Sequence, residues 1–226
     1  LNQQLGGVMR LLFILMFVLG CELNPISEDN TSNCPDLSYT KFNGECYYNN
    51  DIEVLNSFIE NSAESLNFEL DDTNNDGQVS WDELCYQQWN SSGRLIRFSV
   101  FTGAVLPENN CNLSGQIPDN IGNWNKLTYL DLGYHPDPDN TSGQLEGEIP
   151  QSLSYLSALE SLYLYNNLFT GEIPDIFNNM NNLKILWLCN NNFSGELPQS
   201  IWNLSSVETM WIEDNSLIGQ ISSEIS

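Results

Sequence analysis

One short phrase returns along the chain at a fixed spacing, and no other feature constrains the fold as much. A glycine, a polar residue, an apolar residue and a proline close four successive segments, at residues 113–118, 145–150, 169–174 and 193–198. The closing prolines at 118, 150, 174 and 198 lie 32, 24 and 24 residues apart, and a fifth copy begins at residue 217. A period of this length indicates a solenoid, in which each repeat packs on its neighbours. Solenoids present extended surfaces, so the pattern favours recognition over catalysis.

Each repeat also begins with the same apolar spacing. In one repeat these positions are Leu159, Leu162, Leu164, Asn167, Phe169 and Gly171, and the positions 24 and 48 residues further on are again apolar, asparagine and glycine. The alternation around Leu162 and Leu164 is that of a β-strand whose leucine side chains point inward. We expect Asn167 to hydrogen-bond the backbone where the chain leaves the strand, with the next asparagine stacked beneath it.

These repeats resemble the plant-type leucine-rich repeat, which ends in Leu-x-Gly-x-Ile-Pro, and the resemblance covers residues of about 93–226. It implies the fold class, an α/β solenoid with short parallel strands on its concave side. The last repeat stops without a capping segment, so we expect the sequence to be truncated at its C-terminus.

Two of the repeats are eight residues longer than the others. The additional residues fall near 101–109 and 134–142, at the same phase of the repeat. They are interpreted either as surface loops that the fold tolerates or as a rim that helps to grip a partner.

The residue between the two inward leucines is expected to point outward from the concave sheet. In successive repeats this column contains Ser99, Asp131, Tyr163, Trp187 and Trp211. Tyr129 flanks the column on one side, and Tyr165, Cys189 and Glu213 flank it on the other. Because exposed aromatic rings provide binding anchors, we predict a ligand-binding surface formed by Tyr163, Trp187, Trp211, Tyr129, Asp131 and Tyr165. The alternative is that the rings stack only to stabilise the sheet.

A second motif precedes the repeats. Residues 72–83 fit the twelve-residue loop of an EF-hand and therefore resemble a calcium site. The predicted oxygen ligands are Asp72, Asn74, Asp76, the backbone carbonyl of Gln78, Ser80 and Glu83, a set that suits Ca²⁺. The alternative is an acidic turn that binds no ion. A structural ion is favoured over a sensor, because the sequence offers no second loop to form a partner lobe.

The EF-hand motif also predicts the segments around it. A helix is expected from about Asp51 to Leu70 before the loop, and a short helix from Leu84 to Trp89 after it. Together they form a helical cap at residues 51–92. Residues 22–50 are predicted to be a flexible tether, and residues 93–226 form the repeats.

The N-terminus carries an export signal. Arg10 precedes the apolar run 11–19, and Gly20 and Cys21 follow. This order predicts a secretory signal peptide within residues 1–21, whose apolar run is too short to span a membrane. Residues 18–21 resemble a bacterial lipobox, which implies a lipid on Cys21 and an anchored position at the bacterial cell surface or outer membrane. Ordinary signal cleavage is the alternative, and residues 1–8 are interpreted as leader before a better start at Met9.

Five cysteines remain if Cys21 carries a lipid. Cys34 and Cys46 would close a short loop, Cys85 and Cys111 flank the start of the repeats, and Cys189 is left on the strand face expected to be exposed. An exported chain can form disulfides, but the sequence leaves their connectivity open.

Composition narrows the function. The chain has 6 Lys and Arg against 30 Asp and Glu, a net charge of −24. Nucleic acid is therefore not expected as a partner, because phosphate binding needs Lys and Arg. The single histidine, His135, lies in an inserted segment and has no nucleophile or carboxylate pair at a recognisable catalytic spacing. The sequence predicts a non-enzymatic cell-surface protein that binds an extracellular protein or glycan. The alternatives are a structural or adhesive array, or the non-catalytic part of a larger secreted hydrolase.

Overall fold

A computed structural model describes residues 34–62, 79–100, 111, 113–134 and 144–220. The first of these segments forms a hairpin of β1 (Tyr39–Phe42) and β2 (Glu45–Tyr48), followed by the helix α1 (Asn49–Asn61). Asn43 and Gly44 connect the two strands with φ angles of 49° and 88°, the left-handed conformation that a tight hairpin turn requires. A disulfide joins Cys34 to Cys46 across a Cα–Cα distance of 5.6 Å.

This hairpin lies where the sequence predicted a flexible tether. Residues 39–48 are paired strands, in register from Tyr39 opposite Tyr48 to Phe42 opposite Glu45. The rings of Tyr39 and Tyr48 pack edge to face at 5.3 Å, a cross-strand contact that stabilises such pairs. The tether prediction overlooked the Asn43-Gly44 turn, which is a strong signal for a hairpin.

The short helix predicted after the EF-hand-like loop is also wrong. Residues 81–83 make one turn, and Tyr86–Trp89 form the strand β3, antiparallel to β4 (Leu95–Ser99). Cys85 adopts a φ of 54°, which a helix does not accommodate. The side-chain amide of Gln87 donates to the carbonyls of Trp81 and Leu84, at 2.5 and 2.7 Å, and so satisfies the backbone groups that a further helical turn would have used.

The concave side of the solenoid is a six-stranded sheet. Its order is β11-β9-β7-β5-β4-β3, where β5 is Tyr129–Asp131, β7 is Ser161–Tyr163, β9 is Ile185–Trp187 and β11 is Thr209–Trp211. From β4 to β11 every pair is parallel. The parallel solenoid sheet predicted from the repeat is therefore confirmed.

The opposite side is built from shorter elements. Small parallel pairs join β6 (Glu146–Gly147) to β8 (Leu168–Phe169) and β10 (Ser194–Glu196) to β12 (Ser216–Ile218). The convex side carries 3₁₀ helices at Ile121–Asn123, Gln151–Tyr155, Phe177–Asn179 and Gln199–Asn203. Leucines from the concave strands and apolar residues from these helices are buried together in one continuous core.

An asparagine ladder closes the last three repeats, after strands β7, β9 and β11. Asn191 donates from Nδ2 to the carbonyls of Leu164, Leu188 and Cys189, at 2.9, 3.2 and 3.2 Å, and accepts from the Phe169 N–H at 3.2 Å. Asn167 makes equivalent contacts in the repeat before it. These bonds satisfy backbone groups that the turn would otherwise leave unpaired in the core, as expected from the sequence.

A buried ion pair attaches α1 to the first strand of the solenoid. Asp51 is fully buried, and its carboxylate accepts from Arg94 Nε at 2.8 Å, Arg94 Nη2 at 3.0 Å and the Leu95 N–H at 2.9 Å. The backbone carbonyl of Asp51 accepts from Trp124 Nε1 at 3.0 Å. The Tyr48 ring lies 4.2 Å from the Arg94 guanidinium. The hairpin, α1 and the first repeats are thereby joined.

A second disulfide, Cys85 to Cys111, bridges the start of the solenoid with a Cα–Cα distance of 5.1 Å. Both disulfides join the neighbouring cysteines that the sequence brought together as candidates. Within the described ranges, no helix is long and apolar enough to cross a membrane.

Candidate ligand-binding surface

The predicted column of outward residues is aligned in the structure. In the sheet, Ser99 pairs with Asp131, Asp131 with Tyr163, Tyr163 with Trp187, and Trp187 with Trp211. We use the name aromatic strip for the rings of this column and its flanks, which are Tyr129, Tyr163, Tyr165, Trp187 and Trp211. Neighbouring rings of the strip have their centroids between 4.1 and 6.4 Å apart. The strip is therefore one contiguous aromatic surface on the concave side.

Only the two indoles of the strip stack face to face. The indoles of Trp187 and Trp211 stack at 4.1 Å with planes 6° apart, and Tyr163 stands perpendicular to Trp187 at 4.9 Å. One face of each indole is therefore covered by the other.

Exposure rises along the column. Ser99 and Asp131 are 2% and 5% exposed, Tyr163 and Trp187 are half-buried, and Trp211 is 45% exposed. Asp131 was predicted as a ligand-binding residue, but its carboxylate accepts from Ser99 Oγ at 3.2 Å and from the Gly133 N–H at 3.1 Å. The structure therefore gives Asp131 a place inside the sheet, beneath the surface that a ligand would touch.

Arg97 belongs to this surface and was missed by sequence reasoning. Its guanidinium lies 3.5 Å from the centroid of the Tyr129 ring and 6.0 Å from that of Tyr86. Arg97 pairs with Tyr129 in the sheet, so the 32-residue spacing between the two was a signal that could have found it. Burial, followed by the charge of Asp131, raises the pKa of Tyr129 to about 12.

Tyr165 fills a notch in the preceding repeat. A Cβ added to Gly133 would lie 2.3 Å from the Tyr165 ring, so only glycine leaves room for the ring there. Burial and the nearby charge of Asp131 raise the pKa of Tyr165.

Cys189 differs from its prediction. The sequence placed it on the exposed face, but it is a free cysteine that is only 6% exposed. It lies two residues after Trp187 in the chain. Burial raises the pKa of its thiol. Its repeat phase was correct, but the phase does not reveal how deeply a small side chain is buried.

The predicted calcium loop is described only in its last part. Asp72, Asn74, Asp76 and Gln78 lie outside the described residues. Val79, the apolar position of the motif, is buried in the core. The N–H and hydroxyl of Ser80 donate to one carboxylate oxygen of Glu83 at 3.1 and 2.9 Å, and two predicted oxygen ligands are thus adjacent.

Other predicted features lie beyond these segments. Cys21, His135 and most of both repeat insertions are outside the described residues. In the part of the chain that the structure describes, no group of three or more His, Cys, Asp or Glu side chains is placed to hold a metal ion.

A comparison with family models bears on two of the repeats. A family model described as Leucine Rich Repeat matches residues 158–180 and 182–204. These segments are similar to leucine-rich repeats. They contain β7 and β9 and therefore Tyr163 and Trp187 of the aromatic strip. No curated protein matches the chain in a sequence comparison.

Solved structures with the same fold include leucine-rich repeat ectodomains of Arabidopsis thaliana. The BIR2 ectodomain is 27% identical with a TM-score of 0.55, and the match covers 74% of this chain and 83% of BIR2. The ectodomain of the receptor kinase GASSHO1/SCHENGEN3, in complex with CASPARIAN STRIP INTEGRITY FACTOR 2, is 26% identical with a TM-score of 0.54, covering 76% of this chain and 22% of that one. The PEPR1–AtPEP1 structure has a TM-score of 0.62 at 24% identity, covering 78% and 23% of the two chains. This chain thus spans less than a quarter of the GASSHO1 and PEPR1 chains.

Proposed function

We propose that this chain belongs to an extracellular recognition protein whose concave face binds an extended segment of a partner protein. The observation that carries the proposal is the aromatic strip, a contiguous and partly exposed row of rings on the concave side of the solenoid. Contiguous exposed aromatic area is typical of interaction sites, and Tyr and Trp are enriched among residues that dominate binding energy. The GASSHO1/SCHENGEN3 structure holds an ectodomain of the same fold in complex with another factor, which supports recognition as the role of these repeats.

Ring orientation favours a polypeptide over a glycan. A sugar ring binds best flat against an exposed aromatic face, but Trp187 is half-buried and one of its faces is covered by Trp211. Ring edges and tyrosine hydroxyls instead suit the mixed apolar and polar surface of an extended peptide. Trp211 is 45% exposed and is the ring best placed to accept a sugar, so a glycan remains the second candidate.

The charge of the chain indicates the charge expected of the partner segment. The exposed carboxylates Glu213 and Asp214 follow Trp211, and the whole chain carries a net charge of −24. Like charges across an interface are unfavourable, whereas opposite charges steer association. The proposed partner segment is therefore neutral or basic.

Peptide and glycan arrays would test the proposal. A soluble form that begins after Cys21 is compared with its Trp187→Ala plus Trp211→Ala variant. We expect the intact protein to retain neutral or basic peptides, and the double variant to lose them by a factor of ten or more, because aromatic anchors commonly contribute about 2 kcal/mol or more. Tyr155→Ala is the matched control, since this ring is 66% exposed and lies in a convex 3₁₀ helix. Binding that survives the double variant, or that is lost equally in the control, would place the site elsewhere. Hits restricted to glycans would select the glycan as ligand. An absence of peptide and glycan hits would favour a structural or adhesive role for the repeats.

We also propose that residues 72–83 bind a structural Ca²⁺ through Asp72, Asn74, Asp76, the Gln78 carbonyl, Ser80 and Glu83. Two observations support it: Ser80 and Glu83 are in contact, and Val79 anchors the loop in the core. The ion would supply positive charge to a loop of carboxylates and attach it to the cap.

Thermal unfolding with calcium and with chelator tests the ion. An ion that binds only the folded state stabilises it by mass action, so Ca²⁺ should raise the melting temperature. Glu83→Gln should remove most of this increase, while Glu53→Gln on the exposed side of α1 should keep it. Identical melting curves with and without calcium would refute the site.

The lipobox-like sequence 18–21 leads us to propose a lipid anchor on Cys21. In a bacterial host, the mass of the N-terminal peptide should show a diacylglyceryl cysteine, and Cys21→Ser should release the protein from membranes. A mature chain that retains an unmodified Cys21 would contradict the anchor.

A further inference from the structure

The indole N–H of Trp187 is a buried donor without a hydrogen-bond partner among the described residues. This is unusual because more than nine in ten buried polar groups in folded proteins are paired, and each exception calls for an explanation. Trp187 lies at the centre of the aromatic strip, between Tyr163 and Trp211. The unpaired donor is thus inside the surface proposed to bind a ligand.

The backbone carbonyls of the two stacked residues are already engaged. The carbonyl of Trp187 accepts from the Leu164 N–H at 2.8 Å, and the carbonyl of Trp211 accepts from the Leu188 N–H at 2.7 Å. The flanking rings offer their edges and faces to Trp187, at 4.9 Å from Tyr163 and 5.8 Å from Tyr165. None of the described residues pairs with this donor.

Trp211 covers only a face of the Trp187 ring. The two indoles stack at 4.1 Å with planes 6° apart, and an indole N–H donates in the plane of its own ring. An acceptor would therefore approach Trp187 Nε1 at the ring edge, beside Trp211.

We propose that the partner peptide supplies the missing acceptor, a backbone carbonyl oxygen that binds Trp187 Nε1 in the plane of the indole ring. The proposal rests on the function proposed above and makes Trp187 its specificity-determining residue. The acceptor is a neutral carbonyl, because the carboxylates of Glu213 and Asp214 disfavour an anionic one. A ligand that offers hydrocarbon alone at this point would leave the donor unpaired and bind about ten-fold more weakly.

The first test needs no peptide ligand. N-methylacetamide, which contains a single peptide bond, is titrated into protein labelled with ¹⁵N on tryptophan, and the Trp187 indole signal is assigned with Trp187→Phe. We expect the Trp187 N–H signal to move downfield along a saturating curve as it gains an acceptor. The Trp211 indole, which is already exposed, should show only the linear drift of a solvent effect. A Trp187 signal that moves no more than that of Trp211, or that shows contact with a bound water in the free protein, would overturn the proposal.

The second test removes the donor and keeps the ring. Trp187→3-benzothienylalanine replaces the N–H by sulfur at nearly constant shape, with the same replacement at Trp211 as control. Because the donor is unpaired in the free protein, the variant at position 187 should melt at the wild-type temperature or above, and its N-methylacetamide response should vanish. A clear loss of stability at position 187 alone would mean that the N–H already has a partner, which contradicts the proposal.

The two proposals fail separately. Arrays without peptide hits would remove the proposed function, whether or not the Trp187 signal responds to N-methylacetamide. A Trp187 signal that does not respond would remove only the assigned hydrogen bond, whatever the arrays show.

Discussion

Tyr129 lies at the end of the aromatic strip where charged side chains contact the rings. Its ring lies beneath the guanidinium of Arg97, and its hydroxyl lies 3.5 Å from a carboxylate oxygen of the buried Asp131. Burial and this carboxylate both oppose a phenolate, and the pKa of Tyr129 is raised to about 12 from 10.0. The hydroxyl of Tyr129 can therefore donate to Asp131 only while it keeps its proton.

Alkaline pH should destabilise the protein through this residue. Between pH 10 and about 12 the unfolded chain has lost the Tyr129 proton while the folded chain retains it. Because the folded state then binds more protons, the free energy of unfolding falls as pH rises through this window. Urea unfolding of the wild type and Tyr129→Phe at several pH values above 9 measures the effect. We expect a smaller fall in the variant, and a Tyr155→Phe control that follows the wild type.

The sequence predicted which residues share the column more accurately than it predicted their surroundings. The register of Tyr163, Trp187 and Trp211 follows from counting, because every strand occupies the same phase of the repeat. The burial of Asp131 and Cys189 does not, since it depends on how neighbouring rings and turns cover them. The orientation of the stacked rings, and with it the choice of peptide over glycan, likewise required the structure.

The asparagine ladder is the element that holds successive turns together. Each ladder residue binds backbone groups of its own turn and of the repeat before it, so one side chain replaces several backbone hydrogen bonds. The side chain of Asn190 adds a second, exposed ladder by donating to Asn166 Oδ1 at 2.8 Å. Both Asn166 and Asn190 adopt positive φ angles near 55°, which asparagine tolerates better than most residues.

Removing one step of the ladder should be strongly destabilising. Asn191→Ala leaves three carbonyls and one N–H without this partner in a buried turn, and each unsatisfied group costs about 1–3 kcal/mol. Even with partial relaxation, we expect a loss of about 2 kcal/mol or more in urea unfolding. Asn192→Ala is the control, because that side chain is exposed and only its backbone N–H is engaged, at 2.8 Å from the Phe169 carbonyl. Equal stability of the two variants would show that the ladder is dispensable.

Elements repeated along the chain were predictable from sequence, and the single elements of the cap were not. Strands β5 to β11 follow a pattern that the sequence states several times. Strand β3 occurs once, and its formation depends on the positive φ of Cys85 and on contacts of Gln87 with carbonyls three and six residues away. No periodicity signals such contacts, so the EF-hand analogy imposed a helix where a strand forms.

At the scale of the whole molecule, the Asp51–Arg94 pair decides whether cap and solenoid behave as one body. Its partners come from β2, α1, the start of β4 and the 3₁₀ region near Trp124. A buried pair of this kind contributes little compared with a well-packed apolar substitute, but breaking one side of it is costly.

Asp51→Asn should therefore uncouple the cap from the repeats. The substitution keeps the size of the side chain but leaves the Arg94 charge, 13% exposed, without its carboxylate. We expect a loss of about 3 kcal/mol, within the range known for broken buried pairs, and a calorimetric transition that becomes broader or splits in two. Glu53→Gln on the exposed side of the same helix should leave a single wild-type transition. A single sharp transition in Asp51→Asn would mean that the cap is held mainly by its apolar contacts.

The parallel in-register sheet sets a spacing between the rings of the aromatic strip that differs from the residue spacing of an extended peptide. Neighbouring strands place a ring about every 4.8 Å, whereas a peptide stretched along the strip advances about 3.3 Å per residue and returns to the same side about every 6.7 Å. The two spacings come back into step only after roughly seven strands, more than the strip between Tyr163 and Trp211 contains. Each ring therefore meets a different part of the peptide. A surface built from repeats can in this way recognise a peptide whose sequence does not repeat, because the two spacings match at only one position.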